Sequence, residues 1–310
     1  MLNMEMLTEK EIELAGFEFE STLANLINMD NIETFMEAAD ESSTLSKKEK
    51  VKEFFNKIIQ AVKDFFKKIK DTIDKKIKEK KVLEAINKIK REGIKMNKKL
   101  KIDGMLNEKE IMKICNEQIK KVAECTKKVM SAKTTEEIDK LALDLSDDLN
   151  LIQDKVQIAV INGDITLDQT MQVFKSNKAL KIEDMTTNVM NKMMTIADER
   201  YVKLKKLEKD SASTNAIASE QKLEEARVSA LKRISISVSS FFKKVGTLLS
   251  SSKAKAIMAI CGVAAAVGAG SYKNEKKKKM QQKIQKRYNE QIHESVDDAI
   301  DDMMSEIMLL

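Results

Sequence analysis

Not one proline interrupts the 310 residues of this chain, and it holds only 8 glycines. Proline removes a backbone donor and clashes with the preceding turn, and glycine costs about 1 kcal/mol in a helix interior. A chain nearly free of both has little to stop a helix once it has begun. The expected fold is therefore all-α: an elongated multi-helix bundle with one long basic amphipathic helix and one Ala/Gly-rich apolar helix. The length allows one large or two ordinary domains, each with a real core.

The lack of breaks matters most between Phe241 and Lys279. Within that stretch, seventeen consecutive residues from Ala256 to Tyr272 carry no charge. Phe241-Phe242-Lys243-Lys244 leads in, and Lys273 with Lys276-Lys277-Lys278-Lys279 closes it. As a helix the uncharged run covers roughly 25 Å, against about 30 Å of bilayer hydrocarbon. Lys253 and Lys255 at one end and Lys273 at the other extend the useful span if they snorkel. Gly262, Ala266 and Gly270 recur every four residues and form a small-residue face for close helix contact. Such a face serves a membrane-inserted or conditionally inserted helix, or a central helix inside a soluble bundle.

Formal net charge is +6, but the charge is sorted along the chain. Residues 1–45 hold eleven acidic side chains against Lys10 alone, a net of −10, and residues 47–101 hold twenty-one basic against eight acidic, a net of +13. Blocks of this kind mean either intramolecular pairing or separate electrostatic tasks. Four regions are expected: an acidic lead segment, 1–45, mobile or removable; a long basic amphipathic helix, 46–102; a helical bundle, 103–209; and a membrane-associating helical region, 210–310, with the apolar run 256–272 and an amphipathic C-terminal helix.

Local signals divide these regions further. Thr8-Glu9-Lys10-Glu11 has capping-box spacing and opens a short amphipathic helix containing Ile12, Leu14, Phe17, Phe19, Leu23, Leu26 and Ile27. A second short piece, Ile32 to Ala39, follows a turn at Asp30-Asn31, and Asp40 to Thr44 reads as a linker. Ser46-Lys47-Lys48-Glu49 caps the long helix, whose apolar stripe runs from Val51 through Phe54, Phe55, Phe65 and Phe66 to Ile77. The same periodicity continues, with a bend, to about Gly93, before a turn at Asp103-Gly104. Further helices start near Asn107, after Thr134 and at Leu167, the last with its apolar face continued by Met185, Val189, Met190, Met193, Met194 and Ile196, and Asn162-Gly163-Asp164 reads as a helix end. The polar stretch Asp210 to Asn215 reads as a boundary. Ile234, Ile236 and Val238 are spaced like a strand, but helix is preferred because no partner strand is near. Met280 to Ile307 carries the period of a last amphipathic helix.

The stripe of Phe54, Phe55, Phe65 and Phe66, with Lys67 and Lys68 beside it, has two readings. It is an ordinary core face, or it is a surface-seeking membrane helix with aromatic rings on one side and lysines on the other. An echo favours the second: Val62-Lys-Asp-Phe-Phe-Lys-Lys-Ile69 recurs as Val238-Ser-Ser-Phe-Phe-Lys-Lys-Val245. The expected contact residues are therefore Phe54, Phe55, Phe65, Phe66, Lys67, Lys68, Phe241, Phe242, Lys243 and Lys244, together with Gly262, Ala266 and Gly270. The expected partners are an anionic membrane surface and other helices, including further copies of the chain. Nucleic acid is not favoured, because Arg91 is the one arginine of the basic block and arginine is the better reader of phosphate.

Catalytic designs lack their parts. There is one histidine, His293, and no phosphate-binding loop, dinucleotide fingerprint, nucleophile elbow or metal-binding signature is present. Cys115, Cys125 and Cys261 are an odd number without paired spacing, so neither a disulfide framework nor a zinc site is indicated. No enzyme, cofactor or metal is expected. The acidic start lacks the basic-then-apolar pattern of a secretory signal, which points to synthesis in the cytoplasm.

Two stretches, Ile32-Glu-Thr-Phe-Met-Glu-Ala-Ala-Asp40 and Lys50-Val-Lys-Glu-Phe-Phe-Asn-Lys-Ile-Ile59, resemble lysine-rich helical virion proteins of large tailed bacteriophages. In those proteins an acidic lead segment precedes a basic Phe/Lys helix. The resemblance covers under a third of the chain and transfers no functional residue. It implies a head-internal or ejected structural protein with a removable N-terminal segment. The apolar run alone also resembles α-helical pore-forming toxins that hide such a segment in a bundle, although the chain has no signal peptide to match.

Overall fold

The computed structural model describes residues 2–37, 47–210 and 215–290. In chain order these form α1 (Leu2–Glu37), α2 (Lys47–Lys78), α3 (Lys80–Arg91), β1 (Lys99–Leu106), α4 (Glu108–Ser131), α5 (Thr135–Ile158), β2 (Val160–Thr166), α6 (Leu167–Lys175), α7 (Lys178–Asp210) and α8 (Asn215–Glu290). The class is all-α and multi-helical, with one two-stranded sheet added.

α1 is a single helix rather than two pieces, since neither proline nor glycine stands at Asp30-Asn31 to end it. The Ser46 cap and the Asp40–Thr44 linker lie outside the described residues. α2 buries the expected stripe, including Phe54, Phe55, Ile58, Phe65, Phe66 and Ile69. The bend falls at Glu79, which leaves helical geometry at φ −58° and ψ 127°, and α3 then runs to Arg91. Gly93, at φ 60°, turns the chain after it.

The sheet corrects two turn assignments. Asp103-Gly104 and Asn162-Gly163-Asp164 lie inside paired antiparallel strands, where Lys101 faces Asp164 and Ile102 faces Gly163. The register shifts between Ile102 and Met105, and Gly104 sits at φ 74°, a conformation open to glycine. Both turn-like motifs thus mark an irregularity within the ladder rather than its ends. Between the strands, α4 and α5 form a helical hairpin. Asn107 caps α4 by accepting from the Glu110 amide at 3.3 Å, and Thr134 accepts from the Glu137 amide at 3.2 Å ahead of α5. Thr166 and Gln169 close a full capping box on α6.

Everything is arranged around α8, a helix of 76 residues. At about 1.5 Å per residue it is roughly 114 Å long. Ile234 and Val238 are fully buried within it, so the strand-like spacing is overridden by helix packing. Its stretch from Val228 to Leu249 lies in the main core with α1, α2, α5 and α7, where Met190 and Met193 are also buried. Its next part enters a second, smaller apolar cluster built by α3, α6 and the two strands. The C-terminal amphipathic stretch is a direct continuation of α8 as far as Glu290, and residues 291–310, with His293, lie outside the described region.

Candidate functional site

The two Phe-Phe-Lys-Lys elements meet each other. Gly246 is buried where α2 crosses α8, and a Cβ built on it would lie 2.7 Å from a Phe66 ring carbon. Only a residue without a side chain admits that crossing. Phe65 and Phe66 pack edge to face with centroids 5.1 Å apart, and Phe241 and Phe242 repeat the arrangement at 5.1 Å. Phe54 and Phe55 are similarly perpendicular at 5.7 Å. All six rings are buried, from 0% exposed at Phe55 to 6% at Phe54. The expected lipid-facing role of these rings is therefore corrected for this conformation. The two aromatic stripes satisfy one another, and each buried ring gains about 1.5–3 kcal/mol by leaving water.

The lysines of the two elements diverge. Lys67 and Lys68 stay exposed, Lys244 is half-buried, and Lys243 is buried at 6%. The acidic helix α1 accounts for the difference. Its Glu18 pairs with Lys68 and its Glu20 with Lys243. Between those carboxylates Phe19 stacks against Phe65 at 5.3 Å, and Lys243 Nζ lies 5.9 Å from the Phe19 centroid. The end of the Lys243 side chain passes beside Gly16, where an added Cβ would lie in ordinary contact with it at 3.4 Å. One pair, Glu18 with Lys68, thus joins the acidic block to the basic block, and the other, Glu20 with Lys243, joins it to α8. α1 is nevertheless seated along one row, Ile12, Ala15, Phe19, Leu23 and Leu26, while Leu14 and Phe17 remain 58% and 69% exposed. Open grooves of about 580 Å³ flank it, one towards α8 and one towards α2.

Further along α8, the apolar run leaves the protein. Ala256, Ile257, Ile260, Val263 and Ala264 are buried in the smaller cluster. Gly262 is half-buried, and Ala266 and Gly270 are exposed. A Cβ on Gly268 would collide with the Lys88 ammonium, which marks the close passage of α3. Only 35% of the most apolar window of α8 is buried, and among the described helices it is the one long and apolar enough to cross a membrane. Lys276 to Lys279 follow directly and are exposed.

Lys253 and Lys255 do not behave as snorkelling flanks. Lys255 Nζ donates to the Gly104 carbonyl at 2.9 Å and holds the sheet to α8, aided by the Leu106 amide donating to Ser252 Oγ at 3.2 Å. Lys253 is 8% exposed and lines a cavity of about 190 Å³ with Phe66, Phe174 and Asp74. Burial pushes its ammonium pKa below the usual lysine range, against the opposing pull of Glu108 and Asp74. Burial likewise raises Glu108, which accepts from Ser176 and has Oε1 without a partner. A second buried charge cluster joins α7 and α8. Glu224, fully buried, accepts from Arg227 Nη1 at 2.5 Å and Lys203 Nζ at 3.0 Å, while Arg227 Nη2 donates to the Ala132 carbonyl at 2.8 Å. The visible signal for it in the sequence is Glu224 three residues before Arg227, on a face otherwise held by Leu223, Val228 and Leu231.

Burial raises the Cys115 thiol to about 12 and also raises Cys125, so both are unreactive near neutrality. No group of three or more metal-ligating side chains converges among the described residues. No family model, curated protein or solved structure matches the chain. Fold and site together define an all-α protein in which one long helix carries an apolar segment out of a closed bundle.

Proposed function

We propose that the chain is a non-enzymatic helical structural protein that associates with membranes through the emergent part of the α8 apolar run. The observation that carries this reading is the half-clasped state of that run: buried as far as Ala264, exposed at Ala266, Ala269 and Gly270, and followed by a lysine block. An apolar segment presented beside lysines matches the chemistry of an anionic bilayer surface. The paired phenylalanines support the bundle rather than the contact. A virion role, as a component of a phage particle, is part of the proposal and rests on the resemblance at residues 32–40 and 50–59.

A second reading is a soluble assembly protein, in which a helix from another copy covers the same run. It is favoured by the spacing of Gly262, Ala266 and Gly270, which suits close helix packing. Flotation with phosphatidylserine-containing vesicles separates the two. The membrane reading expects the full chain to float, and Ala266→Glu with Gly270→Glu to remove most of the binding. Wild-type protein that stays at the bottom of the gradient, and elutes as an oligomer that the same double variant dissociates, would establish the second reading instead.

A further inference from the structure

α1 occupies a surface that belongs to both Phe-Phe-Lys-Lys elements. One ring of each pair, Phe65 and Phe241, lines the grooves beside α1, whereas Phe66 is committed to the α2–α8 crossing at Gly246. One lysine of each element, Lys68 and Lys243, is neutralised by an α1 carboxylate. The surface under α1 is therefore apolar in the middle and carries lysines at both edges, with Asp64 and Asp71 beside those on the α2 side, and what covers it is an acidic amphipathic helix. The cover is lightly attached. Among its described side chains, those of residues 10–28, it rests on a single apolar row, with open grooves of about 580 Å³ on each side. Its clamping carboxylates are half-exposed, Glu18 at 47% and Glu20 at 57%, and the Glu18–Lys68 pair is open to salt and water on both sides, whereas Lys243 is buried. Leu14 and Phe17 on its outer side give it apolar residues on more than one face, so its seat is not uniquely specified.

We propose that α1 is an acidic intramolecular cover, and that the surface beneath it, Phe65 and Phe241 with Val245 between Lys68, Lys243 and Lys244, takes an anionic lipid interface when α1 leaves. This rests on the membrane reading above and adds a second contact surface to it. The chemistry of the occupant is set by the helix it replaces: negative charge in a layer over apolar depth, which a bilayer containing anionic headgroups also presents. The edge cations are all lysine, whose long stems cover apolar surface while the ammonium reaches headgroups. A protein carboxylate partner would be better held by arginine, which offers a planar bidentate fork. The closest contact of the α2–α8 crossing is made by Phe66 and Gly246, neither of which lines the grooves beside α1.

The test uses the full chain with Cys261→Ala, Glu18→Cys and Lys68→Cys, compared with α1 linked to α2 by a short bifunctional maleimide and with both thiols merely capped. Binding to phosphatidylcholine vesicles with and without phosphatidylserine is measured for each form, and again after adding Ala266→Glu and Gly270→Glu to remove the α8 contact. The capped form is expected to bind phosphatidylserine vesicles roughly fivefold more tightly than the linked form, as the one lysine left to be released, Lys243, would give near a charged surface. It is also expected to keep that difference in the Ala266→Glu/Gly270→Glu background. Equal binding by linked and capped forms overturns the cover while leaving the α8 reading standing. Absence of binding by every form overturns both. A capped form that dimerises and stays off vesicles assigns the surface to a helix of a second copy and overturns the lipid occupant.

Discussion

Phe66 and Gly246 fix the point where α2 crosses α8, and the cost of disturbing them follows from the space between them. A Cβ on Gly246 would lie 2.7 and 2.8 Å from two ring carbons, with no flexible side chain end to yield. Gly246→Ala is expected to destabilise the protein by about 1–3 kcal/mol, the range for overpacking a closed core, as read by urea unfolding. Glu108 gives a prediction with a pH signature. Its folded pKa is raised by burial, so the native state holds a proton that the unfolded chain releases at lower pH. Ionised Glu108 therefore opposes folding above its raised pKa, and the penalty disappears as pH falls below the ordinary glutamate value of 4.5. Glu108→Gln, which keeps an oxygen for Ser176, should be more stable than wild type at pH 7 and equal to it below that value. A constant difference across the range would contradict the assignment to ionisation.

At the scale of elements, the Glu224 cluster ties α8 to α7 and to the end of α4. Arg227 spans from Glu224 to the carbonyl of Ala132, which is the residue that ends α4. Glu224→Ala would leave a buried guanidinium without its carboxylate, at a cost of about 3–5 kcal/mol, and should lower the melting temperature. Arg227→Met added to it is expected to recover part of that loss. Most elements were legible from period and caps: the α2 stripe, the bend before α3, the Asn107 and Thr134 caps and the helical outcome at Ile234–Val238. What escaped was tertiary. β1 and β2 are separated by a whole helical hairpin, so no local pairing announced them, and Gly104 and Gly163 at positive φ look like turn residues from sequence alone. The aromatic pairs were identified but assigned to lipid, because amphipathic period cannot say whether the partner is a bilayer or another aromatic helix. The uninterrupted α1 followed from the missing breakers more faithfully than from the polar Asp30-Asn31.

At the scale of the whole molecule, charge segregation and the apolar run turn out to act at different places. The acidic block is folded back on the basic one through α1, while the apolar run is only partly enclosed and passes from the smaller cluster towards the lysines at 276–279. Of the most apolar window of α8, 35% is buried. The central claim is that the emergent part of α8 meets lipid while the exposed face of the α4–α5 hairpin stays in water. It is tested most directly by placing an environment-sensitive dye at Ala266→Cys or, as a control on the exposed face of α5, at Lys140→Cys, in a Cys261→Ala background. On adding phosphatidylserine vesicles, the dye at 266 should shift to the blue and gain intensity while the dye at 140 stays unchanged. No change at 266 would contradict the account, as would equal shifts at both positions.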